Sequence, residues 1–313
     1  MRRLTVALFI VLIFGVSELT ARATVHPIPH PGVERLEDWW RFIAVDATDG
    51  ASFHSADYNI DSGIRRTVGV PEYAPRTVWL LGSSLAFDIL VTDRDTIASQ
   101  LQARLSNRYR VVNLGMTNEI PRVTWQRLRR IPVAAGDVVI FYHGASSAQT
   151  IYGAAIRRHQ ETYAGCLWFH EHLSQLALVE RGCNAALWGN PDLGDLEAQA
   201  AQVASDYANA VQEARAYTES HGARFIAVIE PALYSREIAP HERWILDYDL
   251  LTAPGLDAVY AVLWPILRRV PGTVDFTHLL DEAREERLLY GDATHLNAAG
   301  DRLIAAAFYD LIG

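Results

Sequence analysis

Short apolar runs alternate with longer amphipathic segments along most of this chain. Residues 77–81, 109–113, 137–142 and 224–229 are mostly apolar, which is typical of strands buried on both faces of a sheet. Elsewhere apolar residues recur at helical spacing, which predicts helices at 96–105, 121–130, 199–220, 257–269 and 297–312. Strands that alternate with helices predict an α/β fold with a mostly parallel sheet covered on both faces.

Local signals indicate where several of these helices begin and end. Asp95 or Thr96 can cap the first helix, and Pro121 suits the first turn of the second. Gly222 terminates the long segment 199–220. Pro265 lies inside the segment 257–269, so we expect that helix to be kinked or split.

Composition narrows the class of protein. The 313 residues are 50% hydrophobic, which is enough to bury a substantial core. The formal net charge is -9, and all 28 basic residues are Arg. An acidic chain without a basic run is a poor candidate for nucleic acid binding.

The N-terminus resembles an export signal. Arg2 and Arg3 precede an apolar run at residues 4–16, and Ala21-Arg22-Ala23 offers the small residues that a signal peptidase recognises. The run is shorter than the ~20 residues that span a bilayer core. We therefore expect a cleaved signal peptide at 1–23 in preference to an uncleaved membrane anchor, with a buried helix as the third alternative. Either of the first two places the rest of the chain outside the cytoplasm, in the periplasm or the extracellular space.

Residues 24–75 are weakly periodic and are interpreted as a lead-in that packs on a main domain at 76–313. The two cysteines, Cys166 and Cys183, permit one disulfide in an exported chain, and two free buried thiols are the alternative. His170 and His172 are two residues apart and do not share a helix face, so no metal site is predicted there.

Residues suited to acyl transfer follow the first three predicted strands. Gly82-Ser83-Ser84, Asn113-Leu114-Gly115 and Gly144-Ala145-Ser146-Ser147 all fall at strand ends. Parallel sheets bind ligands outside the carboxyl ends of their strands, so these loops are expected to converge on one crevice.

The candidate nucleophile is Ser84, and its candidate base is His295. A serine hydroxyl needs a base to take its proton, usually a His that a carboxylate holds in the right tautomer. Asp292 lies three residues before His295, so the two side chains can face the same way on a turn. Two alternatives stay open, namely that Ser83 is the nucleophile or that both hydroxyls merely cap the next segment.

Candidate donors for an oxyanion follow the second and third strands. Gly115 can offer its backbone N–H, Gly144 permits a close approach, and Ser146 can offer a hydroxyl. A tetrahedral intermediate needs such donors in place before the reaction.

These four blocks resemble those of the SGNH hydrolase superfamily, which is also called the GDSL-type esterases and lipases. The family's blocks are Gly-x-Ser with the nucleophile, a Gly, Gly-x-Asn-Asp with an oxyanion Asn, and Asp-x-x-His. The resemblance covers residues 77–312, and the segment Tyr58-Asn59-x-Asp61-Ser62 is similar to exported, polysaccharide-associated members.

The resemblance implies a three-layer α/β/α fold with a flavodoxin-like, mostly parallel sheet of about five strands. It also implies Ser84, His295 and Asp292 as the catalytic triad. Gly115 N–H, Ser84 N–H and Ser146 would hold the oxyanion, and no metal or organic cofactor is needed. The expected activity is that of an exported serine esterase that removes acetyl or another short acyl group from a glycan or a small ester.

Two positions depart from the family pattern. Ser146 stands where the family has its oxyanion Asn, and losing such a donor can cost ~10²–10³ in rate. Asp88 stands where many relatives have Gly. An O-acyltransferase of exopolysaccharide assembly and a catalytically silent glycan-binding protein therefore remain as alternatives to the esterase.

Overall fold

The computed structural model describes residues 52–163, 165–166, 191–243, 245 and 255–313. In these parts of the chain, eight strands form one sheet in the order β1-β2-β3-β5-β4-β6-β7-β8. The strands are β1 (Phe53–His54), β2 (Asn59–Asp61), β3 (Ile64–Arg65), β4 (Thr77–Gly82), β5 (Arg110–Gly115), β6 (Val138–His143), β7 (Arg224–Ile229) and β8 (Thr273–Asp275).

The helices of the described residues lie between and after these strands. They are α1 (Ser84–Phe87), α2 (Ile97–Leu105), α3 (Pro121–Leu128), α4 (Ala145–Thr162), α5 (Leu196–Ser220), α6 (Leu256–Leu267), α7 (Asp281–Arg284) and α8 (Ala298–Ile312). Helices α2 and α8 pack on each other, and α5 packs on α3 and α6. The helices thus form two groups that flank the sheet. The predicted α/β class with a mostly parallel sheet is confirmed.

The strand count differs from the expected five. Strands β4 to β8 pair in parallel, as predicted, and form the central part of the sheet. Strands β1 to β3 are antiparallel additions at one edge, where Arg65 of β3 is in register with Asn113 of β5. They come from the lead-in, whose two- and three-residue strands are too short to show a periodic pattern.

Burial explains why the central strands could be found in the sequence. Every residue of β6 is buried, and β7 is buried from Phe225 to Ile229. Strands covered on both faces must be apolar almost throughout, so they appear as continuous runs.

The helix ends follow the capping chemistry of the sequence. The Thr96 side chain accepts a hydrogen bond from the Ser99 amide at the start of α2, and Asn297 caps α8 in the same way. Helix α6 is not split at Pro265, contrary to one of the two expectations. Buried Trp264 and Leu267 flank the proline, and their packing holds the helix through it.

A buried polar cluster joins the lead-in to the loop that follows α1. Arg65 is fully buried, and its Nε donates to Asp93 Oδ1 at 3.0 Å. The Asn59 side chain donates to the other oxygen of Asp93 at 2.7 Å. The Arg65 guanidinium also lies 3.2 Å from the centre of the Tyr58 ring. Removing one partner of a buried ion pair is strongly destabilising. This cluster therefore holds β2 and β3 against the loop between α1 and α2.

The chain divides into two compact units. Of the described residues, one unit contains 152–163, 165–166, 191–194 and 255, and the other contains 52–151, 195–243, 245 and 256–313. The larger unit contains the sheet and all four sequence blocks.

Several expectations concern residues that lie outside the described parts. These are the signal or anchor segment at 1–23, the pair His170 and His172, and Cys183. Cys166 is a half-buried free thiol, so the expected disulfide with Cys183 is not found. Within the described residues, no helix has the length and apolar character needed to cross a membrane.

Candidate active site

Ser84 is held at the first position of α1, directly after β4. Ser83 is the N-cap of this helix, and its hydroxyl accepts a hydrogen bond from the Leu85 amide. A side chain at Gly82 would collide with the Tyr142 carbonyl oxygen and with Ala86, so only glycine lets β4 pack this closely against β6 and α1. The turn presents the Ser84 hydroxyl at the carboxyl end of the sheet, as expected from the sequence.

Ser84, His295 and Asp292 form a continuous hydrogen-bonded chain. The Ser84 Oγ atom lies 2.7 Å from His295 Nε2, and His295 Nδ1 lies 2.6 Å from Asp292 Oδ2. All three residues are buried. In this arrangement His295 Nδ1–H donates to the carboxylate, which leaves the Nε2 lone pair to accept the Ser84 proton.

The fourth block folds into a tight turn that keeps Asp292 and His295 on one side. The Gly291 amide donates to the His295 carbonyl oxygen at 2.9 Å, and Tyr290 pairs with Leu296 as an isolated β-bridge. Asp292 Oδ1 accepts hydrogen bonds from the amides of Thr294 at 2.8 Å and His295 at 2.6 Å. One carboxylate therefore holds both the turn and the imidazole.

These contacts keep Asp292 ionised despite its burial. Burial acts to raise its pKa, but the charge of His295 and the hydrogen bonds from His295 and Thr294 outweigh it. The net result is a pKa below the usual value of an aspartate. An ionised carboxylate at this position is what the orientation of the imidazole requires.

Gly115 serves close packing, and its amide already has a partner. A side chain at Gly115 would collide with the backbone of Ala86 and Phe87 in α1, so glycine lets β5 approach the nucleophile's helix. The Gly115 N–H donates to Asn113 Oδ1 at 2.9 Å. This amide would have to exchange partners before it could stabilise an oxyanion.

Ser146, in the first turn of α4, lies against a buried histidine. Its Oγ atom is 3.3 Å from Nδ1 of His143, the last residue of β6. Burial, together with the nearby Arg127 charge, lowers the His143 pKa to about 3. The imidazole is therefore neutral at physiological pH and carries only one ring proton.

Hydrogen bonds on the far side of His143 decide which nitrogen carries that proton. Thr124 Oγ1 lies 2.6 Å from Glu119 Oε2, and the same carboxylate oxygen is paired with Arg127. The single hydroxyl proton of Thr124 goes to this carboxylate, so its oxygen must accept from His143 Nε2, which is 2.8 Å away. His143 Nδ1 is then a bare acceptor, and Ser146 donates its proton to it. The Ser146 hydroxyl and the Gly115 amide, the two donors expected for the oxyanion, are thus both engaged in other hydrogen bonds.

Glu230 belongs to the site although sequence reasoning did not identify it. It directly follows β7 and is fully buried. Ser83 Oγ donates to its Oε1 at 3.0 Å, and the Ala145 amide donates to its Oε2 at 3.0 Å. Glu230 thereby fastens the first block to the third. A charged residue at the end of a continuous apolar run was the signal in the sequence.

Burial raises the pKa of Glu230 to about 8, against the hydrogen bonds from Ser83 and the amides of Ser146 and Ala145. The carboxyl group is therefore mostly protonated at neutral pH.

Asp88, the second departure from the family pattern, has a structural role. It ends α1 in the left-handed region, with φ of 62°, where glycine is ordinarily favoured. Its Oδ2 accepts a hydrogen bond from the Ile97 amide at 2.7 Å, at the start of α2. The Asp88 side chain thus satisfies a buried amide that a glycine would leave without an acceptor.

No cluster of His, Cys, Asp and Glu that could hold a metal ion occurs among the described residues. The triad itself needs no metal to abstract a proton from serine.

The chain matches no protein-family model and no curated protein. It is similar to a number of solved structures, three esterases among them. An acetyl xylan esterase, AlAXEase, shares 12% identity at a TM-score of 0.42 over 76% of this chain and 100% of its own. A carbohydrate acetylesterase family member from Sinorhizobium meliloti shares 15% identity at 0.44, over 76% and 97%. The psychrotrophic esterase EstA from Pseudoalteromonas sp. shares 14% at 0.38, over 75% and 94%.

Proposed function

We propose that this chain is a serine esterase of the SGNH type that hydrolyses acetyl or other short acyl esters. The observation that carries the proposal is the hydrogen-bonded chain from Ser84 through His295 to Asp292, at 2.7 and 2.6 Å. A general base must lie within hydrogen-bond distance of a nucleophile to take its proton, and His295 Nε2 lies within that distance of Ser84 Oγ. The four sequence blocks and their order support the same family.

In the proposed mechanism, Ser84 Oγ attacks the ester carbonyl while His295 Nε2 takes its proton. The imidazolium that forms is stabilised by Asp292, which stays ionised and keeps the ring in place. His295 then returns the proton to the departing alcohol, and an acyl-Ser84 intermediate remains. Water attacks this intermediate with His295 again as the base, which releases the acid and restores Ser84.

The backbone amide of Ser84 is the first candidate donor to the oxyanion. The Gly115 amide and the Ser146 hydroxyl can join it only by leaving Asn113 and His143, respectively. Missing donors of this kind cost ~10²–10³ in rate, so we expect a slow esterase unless substrate binding rearranges these contacts.

The proposed substrate is an acylated glycan met outside the cytoplasm. The segment Tyr58-Asn59-x-Asp61-Ser62 supports this because it is similar to polysaccharide-associated members of the family. The export-like N-terminus supports an exported protein, in the periplasm or outside the cell, with attachment to the membrane if the segment 1–23 is not cleaved.

Labelling with a fluorophosphonate probe tests the proposal, because the probe reacts with activated serines. We expect one label per chain, located on Ser84 by peptide mass spectrometry, and none in Ser84→Ala. Ser83→Ala is the comparison variant, since it removes the neighbouring hydroxyl; it should still be labelled, provided that its melting temperature shows it folded without the N-cap and the bond to Glu230. Folded wild-type protein that takes up no label would refute the serine esterase.

A catalytically silent glycan-binding protein is the second candidate. It is favoured by one observation, namely that the Gly115 amide and the Ser146 hydroxyl are both engaged elsewhere. Turnover of p-nitrophenyl acetate distinguishes the candidates: the esterase loses turnover in Ser84→Ala, whereas a silent protein shows the same background in both. Transfer of the acyl group to an added sugar in preference to water would instead indicate an O-acyltransferase.

A further inference from the structure

Gln149 lies one helical turn beyond Ser146 on α4, and its side chain reaches the turn that carries the general base. Its Nε2 atom lies 3.2 Å from Thr294 Oγ1. Thr294 directly precedes His295, whose Nε2 lies 2.7 Å from Ser84 Oγ. This side chain is therefore connected to the nucleophile by a short series of contacts, yet no step of the proposed mechanism uses it.

The register of the sheet also places the start of α4 beside the nucleophile. Gly82 of β4 is paired with Tyr142 of β6. Neighbouring strands lie about 4.8 Å apart, so Ser84 and the first turn of α4 leave the sheet at the same edge and at the same level. Glu230 fastens the starts of α1 and α4 to each other through two hydrogen bonds of 3.0 Å. Gln149 thus borders the catalytic site.

A directional series of hydrogen bonds fixes which end of the Gln149 amide faces Thr294. The Ala145 carbonyl oxygen can only accept, and the Tyr260 hydroxyl donates to it at 3.3 Å. The Thr294 hydroxyl in turn donates to the Tyr260 oxygen. Because the Thr294 proton is committed, its oxygen accepts from Gln149, and the amide nitrogen must lie on this side. The amide oxygen of Gln149 consequently points the other way.

This outward oxygen is an accessible acceptor. Gln149 is half-buried, whereas Thr294 behind it is only 1% exposed. Among the described residues, no donor contacts Gln149 Oε1, and the atom retains solvent-accessible surface. The amide is held at its nitrogen and open at its oxygen, so it is already oriented for a ligand that brings a donor.

The mechanism indicates which part of an ester would meet this acceptor. His295 takes the proton of Ser84 and returns it to the departing alcohol, so the alcohol part of the substrate must lie beside the turn that carries His295. Gln149 contacts that same turn through Thr294. The group that it can bind is therefore a donor on the alcohol, close to the esterified oxygen.

We propose that Gln149 is a specificity-determining residue whose Oε1 accepts a hydrogen bond from a free hydroxyl next to the esterified oxygen. The preferred substrate is then a monoester of a vicinal diol, as in a partly acylated sugar. This inference rests on the proposed esterase function and names a group that the substrate must carry. An alcohol without such a donor would displace water from Oε1 and leave the oxygen without a hydrogen bond, which costs binding.

Three small esters test this requirement on the full chain. Hydroxyethyl acetate carries the donor, propyl acetate has the same size without a polar group, and methoxyethyl acetate has the oxygen without the donor. We would measure kcat/KM for each by acid release and divide it by the rate of alkaline hydrolysis, which corrects for the leaving group. The wild type should prefer hydroxyethyl acetate to both others by about five- to tenfold, as expected for one neutral hydrogen bond.

Variants of Gln149 separate the acceptor from the size of the side chain. Gln149→Met and Gln149→Ala both remove the acceptor, and in each the preference should fall to about twofold or less. Gln149→Glu keeps an oxygen acceptor and should retain the preference, since a carboxylate accepts at least as strongly as an amide. Each preference is a ratio of two rates of one protein, so a general loss of activity cancels. Gln160→Met, about 16 Å further along α4 at 1.5 Å per residue, is the matched control and should behave as the wild type.

A wild type that hydrolyses the three esters equally would overturn the inference, and so would a preference that survives in Gln149→Met and Gln149→Ala. In both cases, turnover that depends on Ser84 would leave the esterase in place and remove only the role of Gln149. Absence of Ser84-dependent turnover with every ester would instead overturn the proposed function, and this inference with it.

Discussion

Replacing Asp292 by Asn isolates the orientation of the imidazole from the other roles of this residue. The Asn side-chain oxygen can still accept the amides of Thr294 and His295, which now bond Asp292 Oδ1 at 2.8 and 2.6 Å. Its NH₂ group would then face His295 Nδ1, where the carboxylate oxygen lies at 2.6 Å. A donor in that place forces Nδ1 to be the acceptor and puts the ring proton on Nε2, facing Ser84.

We therefore expect Asp292→Asn to fold normally and to lose about 10⁴-fold in kcat, because a ring protonated on Nε2 cannot take the serine proton. Asp292→Ala should also be inactive, but it leaves two buried amides without an acceptor. At about 1–3 kcal/mol for each such amide, it should be at least about 2 kcal/mol less stable than Asp292→Asn.

Ester turnover and urea unfolding, measured on both variants and the wild type, provide the assay. The pKa of Asp292 is lowered from 3.8, so its ionised form stabilises the fold above that value and the benefit fades as the pH falls below it. The difference in free energy of unfolding between the wild type and Asp292→Asn should therefore become smaller as the pH falls from about 5 to about 3. Asp292→Asn with turnover within tenfold of the wild type would refute the tautomer argument.

Three further predictions concern the rest of the site. Gly115→Ala should lower the free energy of unfolding by about 1–3 kcal/mol and reduce turnover, since the added carbon meets the backbone of Phe87; a melting temperature equal to the wild type would contradict this. Ser146→Ala should reduce kcat less than tenfold, because the Ser146 proton is committed to His143; a loss of ~10²–10³ would show that Ser146 does reach the oxyanion. Glu230 has a pKa raised from 4.5 to about 8, so the free energy of unfolding of the wild type should fall as the pH rises through this window. In urea unfolding of Glu230→Gln, this free energy should depend less on pH.

Elements that are buried on both faces were accessible to sequence reasoning. Strands β4, β6 and β7 lie where the pattern predicted them, and Thr96 is one of the two caps that the sequence offered for α2, because burial and capping are local demands on residue type. Strands β1 to β3 were not predicted, since strands of two or three residues carry too few positions to show alternation. Their place in the sheet depends on pairing with β5, which lies more than forty residues later in the chain.

Within the site, the sequence by itself determined which residue types end the strands: Ser84 after β4, Gly115 at the end of β5, and the Asp292 and His295 pair before the last helix. Only the tertiary structure decided what their polar atoms bind. A hydrogen bond depends on distance and direction between atoms far apart in sequence, as in the 2.7 Å contact of Ser84 with His295, so it cannot be deduced from the order of residues. The same holds for Glu230 between the first and third blocks and for the commitment of Ser146 to His143, both of which exist because parallel strands bring separate loops to one edge.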